Sequence, residues 1–213
     1  MELWVLILIT IVIVGVLFVA NIALRRMYTK KIFIAMSNDN FDLFFKIVDS
    51  FGCKITLRAA EREMMRLSAY VSLGKAKDIE EQLQLMLNMR LRKKEKASVA
   101  IQGFYYYVEA KNRRKANDMI KIVEENAPAS AKELKMIASV LLRKEARYIK
   151  EFQAYYDGSQ TDQQRGMFAY MLGLQYSYIN ENDKSLQYLR EAKKLLKGTP
   201  YEEVIQELLK GKK

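Results

Sequence analysis

The stretch that decides the fold runs from residue 172 to residue 192 and reads LGLQYSYINENDKSLQYLREA. Its centre, Asn180 to Asp183, consists of polar side chains that favour turns, and apolar residues recur three and four positions apart on both sides. That spacing predicts a helix, a short turn and a second helix. We therefore expect paired helices in this part of the chain.

The chain beyond residue 37 has the same character. Proline occurs only at Pro128 and Pro200, and no run alternates with the two-residue period of a β-strand. The predicted fold class is therefore all-α. Breaks are expected at Ser37–Asn40, Gly52–Lys54, Gly74–Lys77, Leu91–Lys94, Lys111–Lys115, Ala127–Ser130, Asp157–Thr161, Asn180–Asp183 and Gly198–Pro200. Asp162 and Thr199 are expected to begin helices, because their side-chain oxygens can accept hydrogen bonds from N–H groups of a first turn.

The opening stretch resembles the tetratricopeptide repeat, in which a Leu-Gly pair and a later aromatic residue let two helices pack closely and a proline ends the unit. The matching residues are Leu172, Gly173, Tyr176, Ser185, Leu189, Ala192 and Pro200. The resemblance implies that Gly173 and Ala192 allow close approach, while Tyr176 and Leu189 fill the space between the helices. It covers about 34 residues, which is the period of the family.

Weaker copies lie at similar spacing towards the N-terminus. Stepping back from Ser185, the equivalent positions are Glu151, Asn117, Ile79 and Phe44, separated by 34, 34, 38 and 35 residues. An irregular unit is expected around Glu151, because Tyr155 and Tyr156 stand where the second helix should continue and Gly158 stands where a small packing residue belongs. The resemblance implies a TPR-like helical-repeat solenoid over residues 38–210, followed by a tail at 211–213.

Residues 3–24 contain no charged side chain, and only Thr10, Gly15 and Asn21 interrupt their larger apolar residues and alanines. As a helix they would be roughly 33 Å long, enough to cross a hydrocarbon layer of roughly 30 Å. A cleaved signal peptide is the alternative, but signal peptides begin with basic residues and have a shorter apolar run than this chain. We predict a transmembrane anchor over residues 1–24, in a helix that continues to about Met36.

The flanks of this segment predict its orientation. Only Glu2 precedes the apolar run, and four basic residues follow it: Arg25, Arg26, Lys30 and Lys31. Basic residues beside a span stay on the cytoplasmic side, where anionic lipid attracts them. The N-terminus is therefore expected outside and the helical domain in the cytoplasm. The composition favours a bacterial plasma membrane, with an organelle receptor as the alternative.

Composition excludes several classes of enzyme. The chain has 213 residues, no histidine and a single cysteine, Cys53, so it lacks Ser-His and Cys-His pairs and most zinc sites. It also lacks a glycine-rich phosphate loop and the G-x-S-x-G motif of hydrolases. We expect no enzyme, no cofactor and no metal site. Cys53 follows a glycine and is either an exposed reactive thiol or a buried inert one.

In tetratricopeptide proteins the first helices of successive repeats line a groove that holds a partner. Carried over, the resemblance implies an inner face formed by Met64, Ser68, Gln102, Tyr106, Met136, Met167, Tyr170, Leu174 and Tyr178. Tyrosine and methionine suit such a surface, because one offers rigid area and the other adapts its shape. The alternative is that these side chains belong to the core between helices.

The net charge is +11, from 36 basic and 25 acidic residues. Much of it lies in a basic surface predicted from two clusters on either side of a helix expected over Ala97–Ala110: Arg90, Arg92, Lys93 and Lys94, then Arg113, Arg114 and Lys115. Anionic lipid, nucleic acid or an acidic protein could bind there, and a merely solvated surface is the alternative. Nucleic acid is disfavoured, because Tyr105, Tyr106 and Tyr107 point about 100° apart and form no stacking platform.

These features together predict a membrane-anchored cytoplasmic adaptor or scaffold that binds a protein partner through a TPR-like solenoid. The alternative function is a basic surface that engages anionic lipid or nucleic acid at the membrane.

Overall fold

A computed structural model describes residues 3–211, with all side chains in that range except those of Leu3, Val5, Leu6 and Ile9. Glu2, which the orientation prediction uses, and Lys212 and Lys213 of the predicted tail lie outside these residues. Within the described range the protein is 82% helical and has no strand, which confirms the all-α class. The helices are α1 Leu3–Ser37, α2 Phe41–Asp49, α3 Phe51–Thr56, α4 Ala59–Ser72, α5 Ala76–Asn88, α6 Lys93–Glu109, α7 Arg113–Asn126, α8 Pro128–Leu141, α9 Ile149–Asp157, α10 Asp162–Tyr178, α11 Asn182–Leu195 and α12 Tyr201–Lys210.

Helix α1 is uninterrupted from the apolar segment to Ser37, so the expected continuation to about Met36 is confirmed. The most apolar 18 residues within Thr10–Ser37 have a mean hydropathy of 1.8 and are not buried against the rest of the chain. By length and composition, α1 is therefore able to cross a membrane.

The chain divides into two compact units, one up to Val99 and one from Ala100. In the first unit, the C-terminal part of α1 packs on α2 and α3, and α4 packs on α5. One core cluster of this unit comprises Ile32, Ala35, Phe44, Val48, Cys53, Leu57 and Ala69. The helix that carries the apolar segment thus also contributes to a folded core.

In the second unit, α10 packs on α9 and α11, while α7 packs on α8 and α11 on α12. The closeness of α10 and α11 depends on Gly173, where an added Cβ would lie 2.7 Å from Cγ of Leu189. Ala192, three residues after Leu189 on α11, is also fully buried. The Tyr176 ring stacks on Tyr188, with ring centroids 5.6 Å apart.

One turn recurs four times in the described chain. Asp39, Gly74, Lys111 and Asn180 have φ between 53° and 62°, the left-handed conformation that ends many helices. The N–H of the residue after each one donates to the carbonyl five positions earlier, at Ala35, Tyr70, Tyr107 and Tyr176. A buried residue follows each left-handed position by five: Phe44, Ile79, Ala116 and Ser185. Three of these match the repeat positions predicted from the sequence, and Ala116 replaces the predicted Asn117.

The segment around Lys144 departs from this pattern. Lys144 also has a positive φ, of 57°, but the N–H of Glu145 donates to the carbonyl of Ser139, six residues earlier. No helix forms again before α9, which has only nine residues. The chain is instead held by the buried Gln175 side chain, whose Oε1 accepts a 3.0 Å hydrogen bond from the N–H of Tyr148. No break was predicted at these residues.

The predicted break at Gly52–Lys54 is wrong, because these residues lie inside α3. The chain turns at Ser50 instead, whose N–H donates to the carbonyl of Ile47 and whose Oγ accepts from the N–H of Cys53. Gly52 is small for a different reason: a Cβ there would collide with the hydroxyl of Tyr28.

Two helices begin differently from the prediction. Thr161, not Asp162, caps α10, since its Oγ1 accepts a 3.2 Å hydrogen bond from the N–H of Gln164. Thr199 does not cap α12, because its hydroxyl donates to the carbonyl of Leu196 at 2.7 Å. Helix α12 begins after Pro200.

Candidate partner-binding groove

A groove of about 340 Å³ opens in the first unit, where α4 and the end of α5 meet the start of α6. Most of its exposed lining surface is apolar. The residues are Ala60, Glu61, Met64, Met65, Met86, Leu91, Lys94, Glu95 and Ser98. We call it the methionine groove, with a floor formed by Met64, Met65, Met86 and Leu91.

The methionines of the floor differ in how firmly the surrounding core holds them. Met86, near the end of α5, is fully buried, and Met65 packs against the core cluster of the first unit. Met64 on the same turn of α4 is half-buried. Because a thioether chain has three rotatable bonds and a polarizable sulfur, such a floor can adjust to apolar side chains of different shapes.

Two ion pairs fix the rim. Arg25 of α1 contacts Glu61 at 2.6 Å, and Arg58, which precedes α4, contacts Glu95 of α6 at 2.7 Å. The N–H of Arg58 also donates to Oε2 of Glu61 at 3.3 Å. The starts of α4 and α6 are thus tied to each other, and α4 to α1, by these charged side chains.

The carboxylate of Glu95 receives more than the Arg58 guanidinium. The N–H of Arg92 donates to its Oε2 at 2.9 Å. This backbone hydrogen bond, followed by the bond from Arg58, holds the pKa of Glu95 below its ordinary value of 4.5. A carboxyl group with the ordinary pKa is already ionised at neutral pH, so the lowered pKa of Glu95 extends the ion pair towards more acidic pH.

The exposed surface of the groove suits the binding of apolar groups. Besides thioethers and aliphatic carbons, the lining includes Lys94, Ser98 and two carboxylates that are engaged in ion pairs. Within the described residues, no group of three or more Cys, Asp or Glu side chains is placed to hold a metal ion. Cys53 is buried, and burial raises the pKa of its thiol. The buried alternative for Cys53 is therefore confirmed.

Of the residues expected on an inner face, Met64 lines the groove and Ser68 does not. Ser68 donates its hydroxyl hydrogen bond to the carbonyl of Met64 on its own helix, at 3.2 Å. Of the two residues predicted for the inner face in the first unit, only Met64 therefore lines the groove.

In the second unit, the core alternative applies to several predicted residues. Met136, Tyr170 and Leu174 are buried, so they pack between helices and do not line an open face. The Tyr178 hydroxyl donates to the carbonyl of Val140 at 3.0 Å, which ties α10 to α8. The remaining predicted residues, Gln102, Tyr106 and Met167, are half-buried.

The predicted basic clusters differ in their surroundings. All four residues of the first cluster are exposed: Arg90, Arg92, Lys93 and Lys94. In the second cluster, Arg113 donates to the carbonyl of Leu142 at 2.7 Å, and Lys115 lies 5.2 Å from the Tyr107 ring centroid. Two of its three cations thus contact their own chain, and Arg114 is exposed. Helix α6 begins at Lys93, four residues before the expected Ala97.

The prediction missed Met65, Met86 and Leu91, although the sequence carries a signal for them. Four of the eleven methionines, Met64, Met65, Met86 and Met89, fall within 26 residues. This clustering indicates an adaptable apolar surface, but it does not say which methionines face one another.

Comparisons of the chain with family models, with curated proteins and with solved structures found no match.

Proposed function

We propose that the protein is a membrane-anchored adaptor that holds an apolar segment of a partner protein in the methionine groove. The apolar part of α1 would be its single span, with the N-terminus outside and the helical domain in the cytoplasm. The observation that carries the proposal is a groove in which Met64, Met65 and Leu91 lie over the fully buried Met86, beside the Arg25–Glu61 ion pair.

The chemistry of the groove indicates what the partner contributes. The floor offers no charge, and the rim carboxylates Glu61 and Glu95 already have arginine partners. An apolar side chain of the partner would gain the most binding free energy here, because it displaces water from the floor and buries apolar surface against the methionines. A segment with leucine-like anchors at helical spacing meets this requirement.

The position of the groove supports a partner at the membrane. Arg25 directly follows the apolar run, and its guanidinium reaches the groove rim at Glu61. A juxtamembrane segment of another membrane protein would therefore lie within reach. The exposed Arg26, Lys30 and Lys31 support the cytoplasmic side for this unit.

The recurring turn supports the finer description of the domain as tetratricopeptide-like repeats over residues 38–210. Left-handed residues at Asp39 and Gly74 are 35 residues apart, close to the period of that family. A buried apolar residue five positions later repeats with the turn, at Phe44 and Ile79. Each helix pair would then be one unit of the repeat.

The test is site-specific photocrosslinking of the full chain in its membrane. A photoreactive residue replaces Ser98 at the groove, and a second chain carries it at Leu85, which is 49% exposed on α5 and does not line the groove. We expect a defined crosslink from position 98 and none to the same protein from position 85. The crosslinked peptide is then synthesised and its affinity for the full chain in detergent is measured.

The matched variants are Met64→Lys and Leu85→Lys. Met64→Lys places a charge on the groove floor and should weaken binding of that peptide at least tenfold, whereas Leu85→Lys should leave it unchanged. Equal effects of the two variants, or equal crosslinking from positions 85 and 98, would refute the groove as the binding site.

A further inference from the structure

Helix α3 carries an apolar face that no part of its own unit covers. Phe51 and Ile55 lie four residues apart, on one side of the helix, and are 79% and 61% exposed. Cys53, Thr56 and the following Leu57 occupy the other side and are buried. Lys54 is exposed beside the apolar pair. The short helix is thus amphipathic, with its apolar pair outward.

The level of α3 along α1 is fixed by one contact. The Tyr28 hydroxyl lies against Gly52, so closely that a Cβ on Gly52 would collide with it. Tyr28 is four residues beyond Leu24, the end of the uncharged run. At about 1.5 Å per residue, this places the contact about 6 Å past the apolar segment along the helix axis.

The path of the chain agrees with that level. After the turn at Asp39, α2 packs back along α1 and ends at Asp49, directly before α3. A return of nine residues covers about 13 Å. The corner at Ser50, and with it Phe51, therefore lies at the end of the first unit nearer the apolar segment.

The buried face of α3 indicates which way the exposed face points. Cys53 belongs to a core cluster with Ile32 and Ala35 of α1, which lie farther from the apolar run than Tyr28. Part of the core thus lies farther along α1 from the apolar segment than the Tyr28 contact, and Phe51 and Ile55 are on the opposite side of α3 from the buried Cys53.

We infer that Phe51 and Ile55 insert into the headgroup region of the bilayer, with Lys54 beside them and Lys31, which lies over the Tyr28 ring, on anionic lipid. This inference rests on the proposed span. Headgroup regions are about 5–7 Å thick on each side of the hydrocarbon, which matches the level of the Tyr28 contact. Apolar side chains flanked by basic ones are the combination that binds such an interface. The first unit then has two attachments to the membrane, α1 and the α3 face.

The experiment uses tryptophan fluorescence of the full chain reconstituted in vesicles that contain anionic phosphatidylglycerol. The chain has one tryptophan, Trp4, so Trp4→Phe provides a silent background. Phe51→Trp and, as a second reporter, Ile55→Trp are introduced into it. Phe33→Trp is the matched control, because Phe33 is 70% exposed on α1 and five residues farther along than Tyr28.

Lipids that carry a spin label at the headgroup or deep in the acyl chain then act as quenchers. We expect Phe51→Trp and Ile55→Trp to emit at shorter wavelength than Phe33→Trp. We also expect the headgroup label to quench them at least twofold more than it quenches Phe33→Trp. Quenching equal to that of Phe33→Trp would overturn the inference. A blue shift without lipid quenching would also overturn it, since a protein surface would then cover the pair.

Retention on the membrane is scored separately. After an alkaline wash, the chain with its native Trp4 should float with the vesicles. If it does not, the proposed span fails and the inference falls with it. If it floats and the Phe51→Trp and Ile55→Trp reporters stay unquenched, only the inference fails.

Discussion

The Ser185 hydroxyl donates a 2.7 Å hydrogen bond to the carbonyl oxygen of Gly173, across the contact between α10 and α11. Both residues are buried, and four positions after Ser185 the fully buried Leu189 fills the space above Gly173. A helix carbonyl is thus reached by a side chain from the neighbouring helix because no side chain at residue 173 intervenes. The pairing of these helices depends on that absence.

Gly173→Ala should therefore destabilise the second unit. The new Cβ would lie 2.7 Å from Cγ and 3.2 Å from the backbone N of Leu189, so α10 and α11 must move apart. Overpacking of this kind costs about 1–3 kcal/mol of the free energy of unfolding. Denaturant unfolding of the full chain in a mild detergent, followed by circular dichroism, measures it. In a double-mutant cycle with Leu189→Ala, the two losses should be less than additive. Full additivity would contradict the contact.

Alkaline pH should weaken the fold through Tyr170. Its burial between helices, followed by the influence of Tyr178 and Tyr201, raises the pKa of Tyr170 to about 12 from 10.0. Above pH 10 the unfolded chain loses this proton while the folded chain keeps it, so the free energy of unfolding falls as the pH rises. The slope from one such group is about 1.4 kcal/mol per pH unit. Tyr170→Phe should show a shallower decline between about pH 10 and pH 12, measured by denaturant unfolding. An unchanged slope would show that Tyr170 is not the group responsible.

The rim of the methionine groove predicts a graded response of Glu95. Arg58→Gln removes one of its two partners, so the pKa of Glu95 should rise. It should nevertheless stay below the ordinary 4.5, because the N–H of Arg92 is the larger cause of the depression and remains. Carbon-13 NMR of labelled glutamate in the full chain follows this titration. As a control, Lys77→Gln, which disrupts only the exposed pair with Glu81, should leave Glu95 unchanged. A full return of Glu95 to 4.5 would mean that the Arg92 hydrogen bond contributes nothing.

The proposed orientation predicts protection of the helical domain from outside. Protease added to intact cells should leave the segment after Tyr28 uncut, because the bilayer would separate the protease from that segment. The same protease added after the membrane is opened should cut it, which shows that the sites are accessible in principle. Immunodetection of a C-terminal epitope measures both. Digestion in intact cells would place the domain outside and refute the orientation.

The sequence was most informative where a turn has a strong local cause. Asn180 and Asp39 adopt the left-handed conformation, which short polar side chains tolerate, and both lie within predicted breaks. Lys111 does so as well, without a favourable side chain, and was found only because polar residues surround it. Local chemistry thus located the repeated turns to within a few residues.

The breaks that were missed depend on distant contacts. Nothing in residues 142–148 disfavours a helix, but the Gln175 side chain binds the N–H of Tyr148 from another helix. Gly52 was mistaken for a helix end, although it is small because Tyr28 needs the space. Tertiary contacts override local propensity at both places.

The candidate site was harder to predict than the fold. Only Met64 of the predicted inner face lines the groove, because the carry-over from the repeat family took first helices alone. The floor also takes Met86 from a second helix and Leu91 from a loop. Which face of a helix stays open depends on the neighbour that packs there, as the buried Tyr170 and Leu174 show.

Helix α1 has one further consequence. Ile32 and Ala35 lie in a core, and they belong to the same uninterrupted helix as the apolar run. A flexible linker would let the domain rotate freely, whereas a continuous helix makes the first unit tilt together with the apolar segment. Spans tilt to match the thickness of the bilayer around them. If α1 spans the membrane as proposed, the first unit would therefore swing with it in a thicker or thinner bilayer, and the groove would point in a different direction over the lipid surface.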